Sequence, residues 1–386
     1  MTVKRIFAIS MARTAIGRRA GSLSGFEAFE LGGVAIRAAI TNAVVDESAI
    51  NEVILGNTLA STGNTARVAA LAAGISEVVP ALTIDRQCGS GINSLTLAAR
   101  QLREEPGVVI AGGAESMSNE PFLLERSAKA FPATAPKFLR RALSTSKVGD
   151  PTMGITAENL RRDYGISREE QDEYALRSQQ RYDEHRDLFE QDITPIEVRT
   201  KKFTVTVNED EHPRPETSLD QLSALNPVFE SDGTVTAGNA SGINDAAAAM
   251  LLVDDSFIEQ HDIEPLAEIG ASAVAGVDPN IMGIGPVPAI HKLLRQTGRH
   301  LDDYDLVEVN EAFAVQVLAC QRELGLDAGK LNVWGGAIAH GHPISATGTI
   351  LVQKMIRQLQ SRGGGRGIVS ACIGGGQGIA LEIIVR

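Results

Sequence analysis

Cys88 stands in Arg86-Gln87-Cys88-Gly89-Ser90-Gly91, a turn of small residues that opens an apolar helical stretch. A thiol at a helix N-terminus faces unpaired amides and the positive end of the helix dipole, which favour the thiolate, and flanking glycines let a carbonyl approach the backbone. That combination suits acyl transfer. Two segments near the C-terminus carry groups that could work with it. Gly341-His342-Pro343 supplies an imidazole, which exchanges a proton near neutral pH, and Cys372-Ile373-Gly374-Gly375-Gly376 supplies a second thiol beside a glycine run.

Whatever positions these groups has ample chain to do so. The 386 residues are 43% hydrophobic and 22% charged, an ordinary globular composition with room for two or three domains. A net charge of -12 argues against a nucleic-acid binder, so an anionic ligand must be met by a local basic patch or by helix N-termini. The three cysteines, Cys88, Cys320 and Cys372, include no C-x-x-C pair, which fits a reduced, cytoplasmic setting better than a disulfide framework. His340 and His342 lack a closed ligand set for zinc, so no metal site is expected. Apolar runs such as Ala246 to Val253 are too short for a membrane span. Lys4, Arg5, Arg13, Arg18 and Arg19 precede the first acid, Glu27, as in a transit peptide to the mitochondrial matrix, but Val3 to Ile9 reads equally well as a strand. The strand reading is preferred.

The chain repeats its own pattern. Glu52-Val53-Ile54-Leu55-Gly56-Asn57 has a counterpart in Asp305-Leu306-Val307-Glu308-Val309-Asn310, each an acid, a hydrophobic strand and an Asn. Some thirty residues beyond each Asn a Gly-rich turn opens a helix, one turn carrying Cys88 and the other His342. Ile92, Leu95, Ala99 and Leu102 share a face of the first helix, and Leu351, Met355 and Leu359 a face of the second. A hydrophobic strand running into glycines follows each helix: Val108 to Gly113, then Ile368 to Gly376. The fold class predicted is α/β, with two βαβ-based halves, layered sheets and helices, and mainly parallel strands.

Between the halves the composition turns charged. Ser167 and Glu170 form a capping box for a helix reaching about Gln191, with Lys137, Arg140, Arg141 and Lys147 before it and His212-Pro213-Arg214-Pro215 after it. A segment this long is expected to be a lid or ligand-binding excursion rather than a bare loop. The expected division is 1-119 with 243-263 as an N-terminal half, 120-242 as an inserted loop domain over the active site, and 264-386 as a C-terminal half.

With these elements laid out, the chain resembles the thiolase family of acyl-CoA:acetyl-CoA acyltransferases over nearly its whole length. The resemblance rests on seven segments in the family's order: Cys88 to Gly91, Gly112 to Ser118, Met153 to Asn159, Gly233 to Gly242, Asn310 to Phe313, Gly341 to Pro343 and Cys372 to Gly376. It implies a ping-pong condensation and thiolysis of 3-ketoacyl-CoA. Cys88 would take up the acyl group, with His342, selected over His340 by the Gly-His-Pro match, as its base and Cys372 as the second acid/base. One oxyanion hole would lie between the amides of Cys88 and Gly374, the other at His342 with a water held by Asn310. Ser241 would lie toward the pantetheine arm and Arg214 toward the adenine nucleotide, with Met153 a further coenzyme A contact. The resemblance also implies acyl-CoA, acetyl-CoA and coenzyme A as partners, coenzyme A esters as substrates with no tightly bound cofactor, and a homodimer or homotetramer. Cys320 is expected in the core.

Four departures bear on substrate length: Trp334 where relatives carry Asn, His340 where Ile or Leu is common, Ser345-Ala346-Thr347 in place of Gly-Ala-Ser, and Thr152 where short-chain members often have His. A dedicated acetyl-CoA acetyltransferase is therefore an alternative reading. A decarboxylating ketosynthase would not need Cys372, and a non-catalytic acyl-CoA carrier would need none of the reactive residues.

Overall fold

Asn244–Asp254 is buried along all eleven residues, as a near-continuous apolar run must be when both faces of its sheet are covered. It is one of nine strands that matter here: β1 (Ile6–Arg13), β2 (Ile50–Gly56), β3 (Ala81–Ile84), β4 (Val108–Ser116), β5 (Asn244–Asp254), β6 (Ala267–Gly276), β7 (Leu306–Val309), β8 (Gly365–Ile373) and β9 (Gln377–Val385). The computed structural model describes residues 4–43, 45–128, 130, 134–199 and 203–386. The strand expected at the N-terminus is present as β1, while Val3 lies outside the described residues.

The nine strands lie in the order β7-β8-β9-β6-β1-β5-β4-β2-β3, and at the middle β1 meets β6 through Phe7 opposite Glu268 and Ala8 opposite Ala267. Either side of that joint the two halves have the same order and sense. β2 runs parallel to β4 as β7 does to β8; β4 is antiparallel to β5 as β8 is to β9; β5 is antiparallel to β1 as β9 is to β6. Even β3, parallel to β2, has a remnant partner in the parallel bridge between Val307 and Leu331. The duplication read from the sequence is therefore a duplication of topology.

The expectation of mainly parallel strands fails, because among the described residues only three strand-to-strand pairings, isolated bridges aside, are parallel. The reason lies in the connections. β8 and β9 are joined by Gly374-Gly375-Gly376, and so short a link permits only an antiparallel pair. The equivalent link in the first half, from Ser116 to Asn244, is where the long charged segment enters. It begins and ends at one corner of the sheet and leaves the antiparallel pair intact.

Two helices at equivalent places in the repeat, α1 (Ser90–Glu104) and α4 (Ile344–Gln360), pack on one another and touch strands of both halves. α4 is buried nearly all round, which explains its polar interior contacts: Lys354 pairs with Glu308 at 2.8 Å, and Gln353 donates to Ala12 O and Ala249 O. Leu351, Met355 and Leu359 face the same core as Ile92, Leu95, Ala99 and Leu102. Truncating one of the larger ones to Ala would cost about 2–5 kcal/mol. The helices close most tightly near their N-terminal ends. A Cβ on Gly91 would stand 2.7 Å from Ser345 O, and one on Gly348 2.5 Å from Ile92 N, so side chains there would force the two N-termini apart. Those N-termini carry Cys88 and His342. In the inserted segment, α2 (Met153–Tyr164) and α3 (Arg168–Glu184) follow in sequence, and α3 opens with the expected Ser167–Glu170 capping box.

Candidate active site

Cys88 sits in a single 3-10 turn, Gln87–Gly89, directly ahead of α1. Gln87 holds a left-handed φ of 47°, a conformation that costs a non-glycine residue about 1–2 kcal/mol. Local bonds hold the turn. Asp85 accepts from the Gln87 amide at 2.8 Å, and Ser90 Oγ accepts from the Arg86 amide at 2.8 Å while donating to Gln87 O at 2.7 Å. The Gly374 amide also points at the thiol and favours its ionised form, as does the amide of Cys88 itself. Burial outweighs both and, with the negative charges of Glu115 and Asp85, pushes the Cys88 pKa up to about 11. The amides favour the thiolate, as the sequence implied, but desolvation exceeds their effect and keeps the resting thiol neutral.

His342 is held in a complementary state. Burial pushes its pKa down to about 4, so the imidazole is neutral at physiological pH. Nδ1 lies 2.7 Å from Thr347 Oγ1, and Nε2 faces Asn310 Nδ2 at 3.5 Å. An amide nitrogen only donates, so the arrangement puts the ring proton on Nδ1, toward Thr347, and leaves Nε2 free to accept. Asn310 follows β7, is buried, and keeps its Oδ1 without a hydrogen-bond partner. Cys372, the penultimate residue of β8, is fully buried; burial first, then the neighbouring Cys88 and Cys320 sulfurs, raises its pKa well above the ordinary thiol value. Cys320 is core, donating to Gly283 O at 3.3 Å.

A cavity of about 580 Å³ opens onto Cys88, with Gly374 and Met153 in its lining. The inserted segment roofs it with Phe122, Leu139, Leu143 and Thr152. Arg214 lies elsewhere, at a second cavity of about 340 Å³ with His212, Gln179, Leu222 and Gly238. Ser241 lines neither; its amide bonds Ala312 O at 3.0 Å, beside Asn310 in the chain. Met153 therefore groups with Cys88 and not with Arg214.

Several residues that hold these groups were not singled out by the sequence. Asn244 Oδ1 accepts the His342 amide at 2.9 Å. Glu115 ties the half that carries Cys88 to α4, accepting from Asn57 Nδ2 at 3.0 Å, Leu59 N at 3.0 Å and Ser345 Oγ at 2.8 Å, and burial raises its pKa to about 7. Glu311 accepts from Tyr174, Ser178 and Asn332, fastening the turn after Asn310 to α3. Glu115, Glu311 and Thr347 were visible only as members of longer motifs. Trp334 is buried and stacks on His185 with centroids 5.4 Å apart, and it does not line the Cys88 cavity. His340 packs against Phe189 and Tyr182.

Family models for the thiolase N-terminal domain and the thiolase C-terminal domain match residues 6–256 and 263–385. The chain is 44% identical over 390 residues to human "3-ketoacyl-CoA thiolase, mitochondrial", covering 99% of this chain and 98% of the relative. It is 44% identical over 391 residues to "Acetyl-CoA acetyltransferase" of Escherichia coli, covering 99% of each. The crystal structure of human mitochondrial 3-ketoacyl-CoA thiolase in complex with CoA superposes with a TM-score of 0.92 at 42% identity, over 100% of this chain and 98% of that one.

Proposed function

We infer the reaction course from one premise: the chain belongs to the thiolase family and is an acyl-CoA:acetyl-CoA C-acyltransferase. The observation that carries the assignment of residues is the meeting of two repeat-related helix N-termini, one bearing a neutral thiol under the Gly374 amide and the other a neutral imidazole with an unprotonated Nε2. In thiolysis His342 takes the Cys88 proton as Sγ adds to the C3 carbonyl of a 3-ketoacyl-CoA. The amides of Cys88 and Gly374 receive the oxyanion. The C2–C3 bond then breaks, and its electron pair takes the proton of Cys372, releasing acetyl-CoA. The Cys372 thiolate next takes the proton of incoming coenzyme A, whose sulfur displaces the acyl group, and Cys88 recovers its proton from His342. Asn310 and the His342 Nε2 stabilise the enolate of the departing acetyl-CoA. Every proton has a side chain to carry it, so no tightly bound cofactor is required.

Coenzyme A runs from Arg214, which meets the nucleotide in the smaller cavity, past Ser241 to Met153 beside Cys88. Residues 120-242 act as a loop domain over the site, inserted between 1-119 with 243-263 and a C-terminal half of 264-386. The sheet ends at β3 with Leu82 exposed, an edge that suits pairing with a second copy in a homodimer or a dimer of dimers. No helix among the described residues is long and apolar enough to cross a membrane. The reduced cysteines suit the cytoplasm or the mitochondrial matrix. Brief exposure to acetyl-CoA followed by peptide mass analysis tests the core of this reading: acetyl on the Cys88 peptide is expected, and acetyl confined to Cys320 or Cys372 overturns it.

A further inference from the structure

The repeat relates individual side chains as well as strands. Gly56 lies opposite Gly113 in the first half and Val309 opposite Ser370 in the second, and Asn57 and Asn310 each follow at once. Two residues beyond Gly113 is Glu115 and two beyond Ser370 is Cys372, each penultimate in its strand, β4 or β8. Cys88 and His342 each stand two residues before their helices, α1 and α4. Asn310, His342 and Cys372 thus have Asn57, Cys88 and Glu115 as counterparts.

Glu115 is fully buried and forms no ion pair among the described residues. Neutral donors meet its carboxylate from two directions. Oε1 accepts from Asn57 Nδ2 and Leu59 N, each at 3.0 Å, and from Thr58 N at 3.4 Å. Oε2 accepts from Ser345 Oγ at 2.8 Å and Ser345 N at 3.3 Å. The first set leads to the Cys88 turn, because Thr58 Oγ1 donates to Asp85 Oδ1 at 3.2 Å and that same oxygen accepts from Gln87 N at 2.8 Å. The second set lies at the start of α4, in the turn that follows His342. Gly113 lets that start close on β4, since a Cβ there would stand 2.1 Å from Ser345 O. A neutral amide at residue 115 would offer one acceptor oxygen, whereas a carboxylate accepts on both. Burying a charge without a counter-charge is costly, so a residue that merely filled this space would be neutral.

We propose that Glu115 is a positioning residue for the thiolase reaction, a single carboxylate that fixes the Cys88 turn and the His342-bearing helix start relative to each other. Where its counterpart Cys372 moves a proton, Glu115 holds in place the two groups that exchange one. This inference rests on Cys88 and His342 being the reacting pair.

A double-mutant cycle of Glu115→Gln and Ser345→Ala tests it, read as kcat and KM for acetoacetyl-CoA thiolysis at pH 8.5, where the carboxylate is ionised, beside urea midpoints. Glu115→Gln should lower kcat at least about tenfold, the scale of a small misplacement, with KM within about threefold of the wild type. Ser345→Ala should lower kcat in the same way, and the double variant should fall no further than the worse single one, because both changes cut one link. The Glu115 charge opposes ionisation of Cys88, so a role through charge alone predicts a faster Gln variant. A kcat for Glu115→Gln at or above that of the wild type overturns the inference, as do losses that multiply in the double variant. Should Glu115→Gln fail to fold, Ser345→Ala decides alone, and an unchanged kcat overturns the inference. Acetylation of the wild type by acetyl-CoA tests the premise separately. Acetyl absent from Cys88 removes the reacting pair and this inference with it, whereas an acetylated Cys88 beside unchanged variant kcat values overturns the inference alone.

Discussion

Asn244 Oδ1 accepts the backbone N–H of His342 at 2.9 Å, while the same side chain donates to Gly17 O at 3.0 Å and lies 3.4 Å from His212 Nδ1. One buried amide at the start of β5 thus fixes the height of the His342 imidazole against the first half of the molecule. It also explains Gly341. That residue has φ of 100°, and a Cβ there would stand 2.6 Å from the Asn244 side chain.

Asn244→Ala should therefore lower kcat for acetoacetyl-CoA thiolysis by roughly 10- to 100-fold, because a small displacement of a catalytic group carries that scale of cost. Losing the buried hydrogen bonds should cost about 1–3 kcal/mol of stability as well. Parallel kcat and urea-midpoint measurements separate the effects. A variant that is destabilised but retains full kcat would show that Asn244 serves the fold and not the imidazole.

The buried, neutral His342 gives stability a dependence on pH. Its folded pKa of about 4 lies below the ordinary 6.5, so below pH 6.5 the unfolded chain binds a proton that the native chain does not. The stabilisation is complete above pH 6.5 and lost as pH falls toward 4, roughly 3 kcal/mol in all. Glu115 works with the opposite sign. Its folded pKa of about 7 is above the unfolded value, so its contribution is present below pH 4.5 and lost as pH rises through 7. Between pH 7 and 5, His342→Asn should lose about 2 kcal/mol less unfolding free energy than the wild type. Identical losses in guanidinium titrations would mean that His342 is not buried neutral.

Cys372→Ala should separate the half-reactions. The variant keeps Cys88, His342 and the Gly374 amide, so acetyl transfer from acetyl-CoA to Cys88 should remain measurable, while condensation should fall by at least roughly 100-fold with loss of the acid/base. Mass analysis reads the first and acetoacetyl-CoA formation the second. Equal loss of both would place Cys372 in the support of the Cys88 turn instead.

How far these features could be read from the sequence depended on how local their causes are. Cys88, His342 and Cys372 announce themselves through glycine-rich turns within a few residues of each. The duplication was legible because an acid, a strand and an Asn recur at matching distances from those turns. Asn244 was not, because its partner is 98 residues away and nothing near it in the chain marks the contact. Glu115 reaches Ser345 across 230 residues for the same reason. The ionisation of Cys88 was legible only in part, because a dipole can be inferred from a helix start, whereas desolvation depends on what folds over it. The sense of the sheet was misjudged because a βαβ pattern fixes only the strands inside it, and four of the strands enter by other routes.

Thr152 joins the lining of the Cys88 cavity immediately before Met153, where the resemblance puts His in short-chain members. With a small residue there, and with Trp334 stacked on His185 well away from the roof, the space in front of the thiol is not closed to chains longer than acetoacetyl. Each methylene that finds apolar surface contributes up to about 0.8 kcal/mol, so activity should extend to six- to ten-carbon 3-ketoacyl-CoA esters. Thr152→His inserts an imidazole into that lining. It should reduce kcat/KM for the ten-carbon ester by roughly tenfold or more relative to acetoacetyl-CoA, the effect of excluding two or three methylenes. Chain-length profiles of the wild type and the variant decide it. A wild type confined to acetoacetyl-CoA would leave a dedicated acetyl-CoA acetyltransferase, and a broad profile unchanged by Thr152→His would mean that the chain leaves the site by another wall of the cavity.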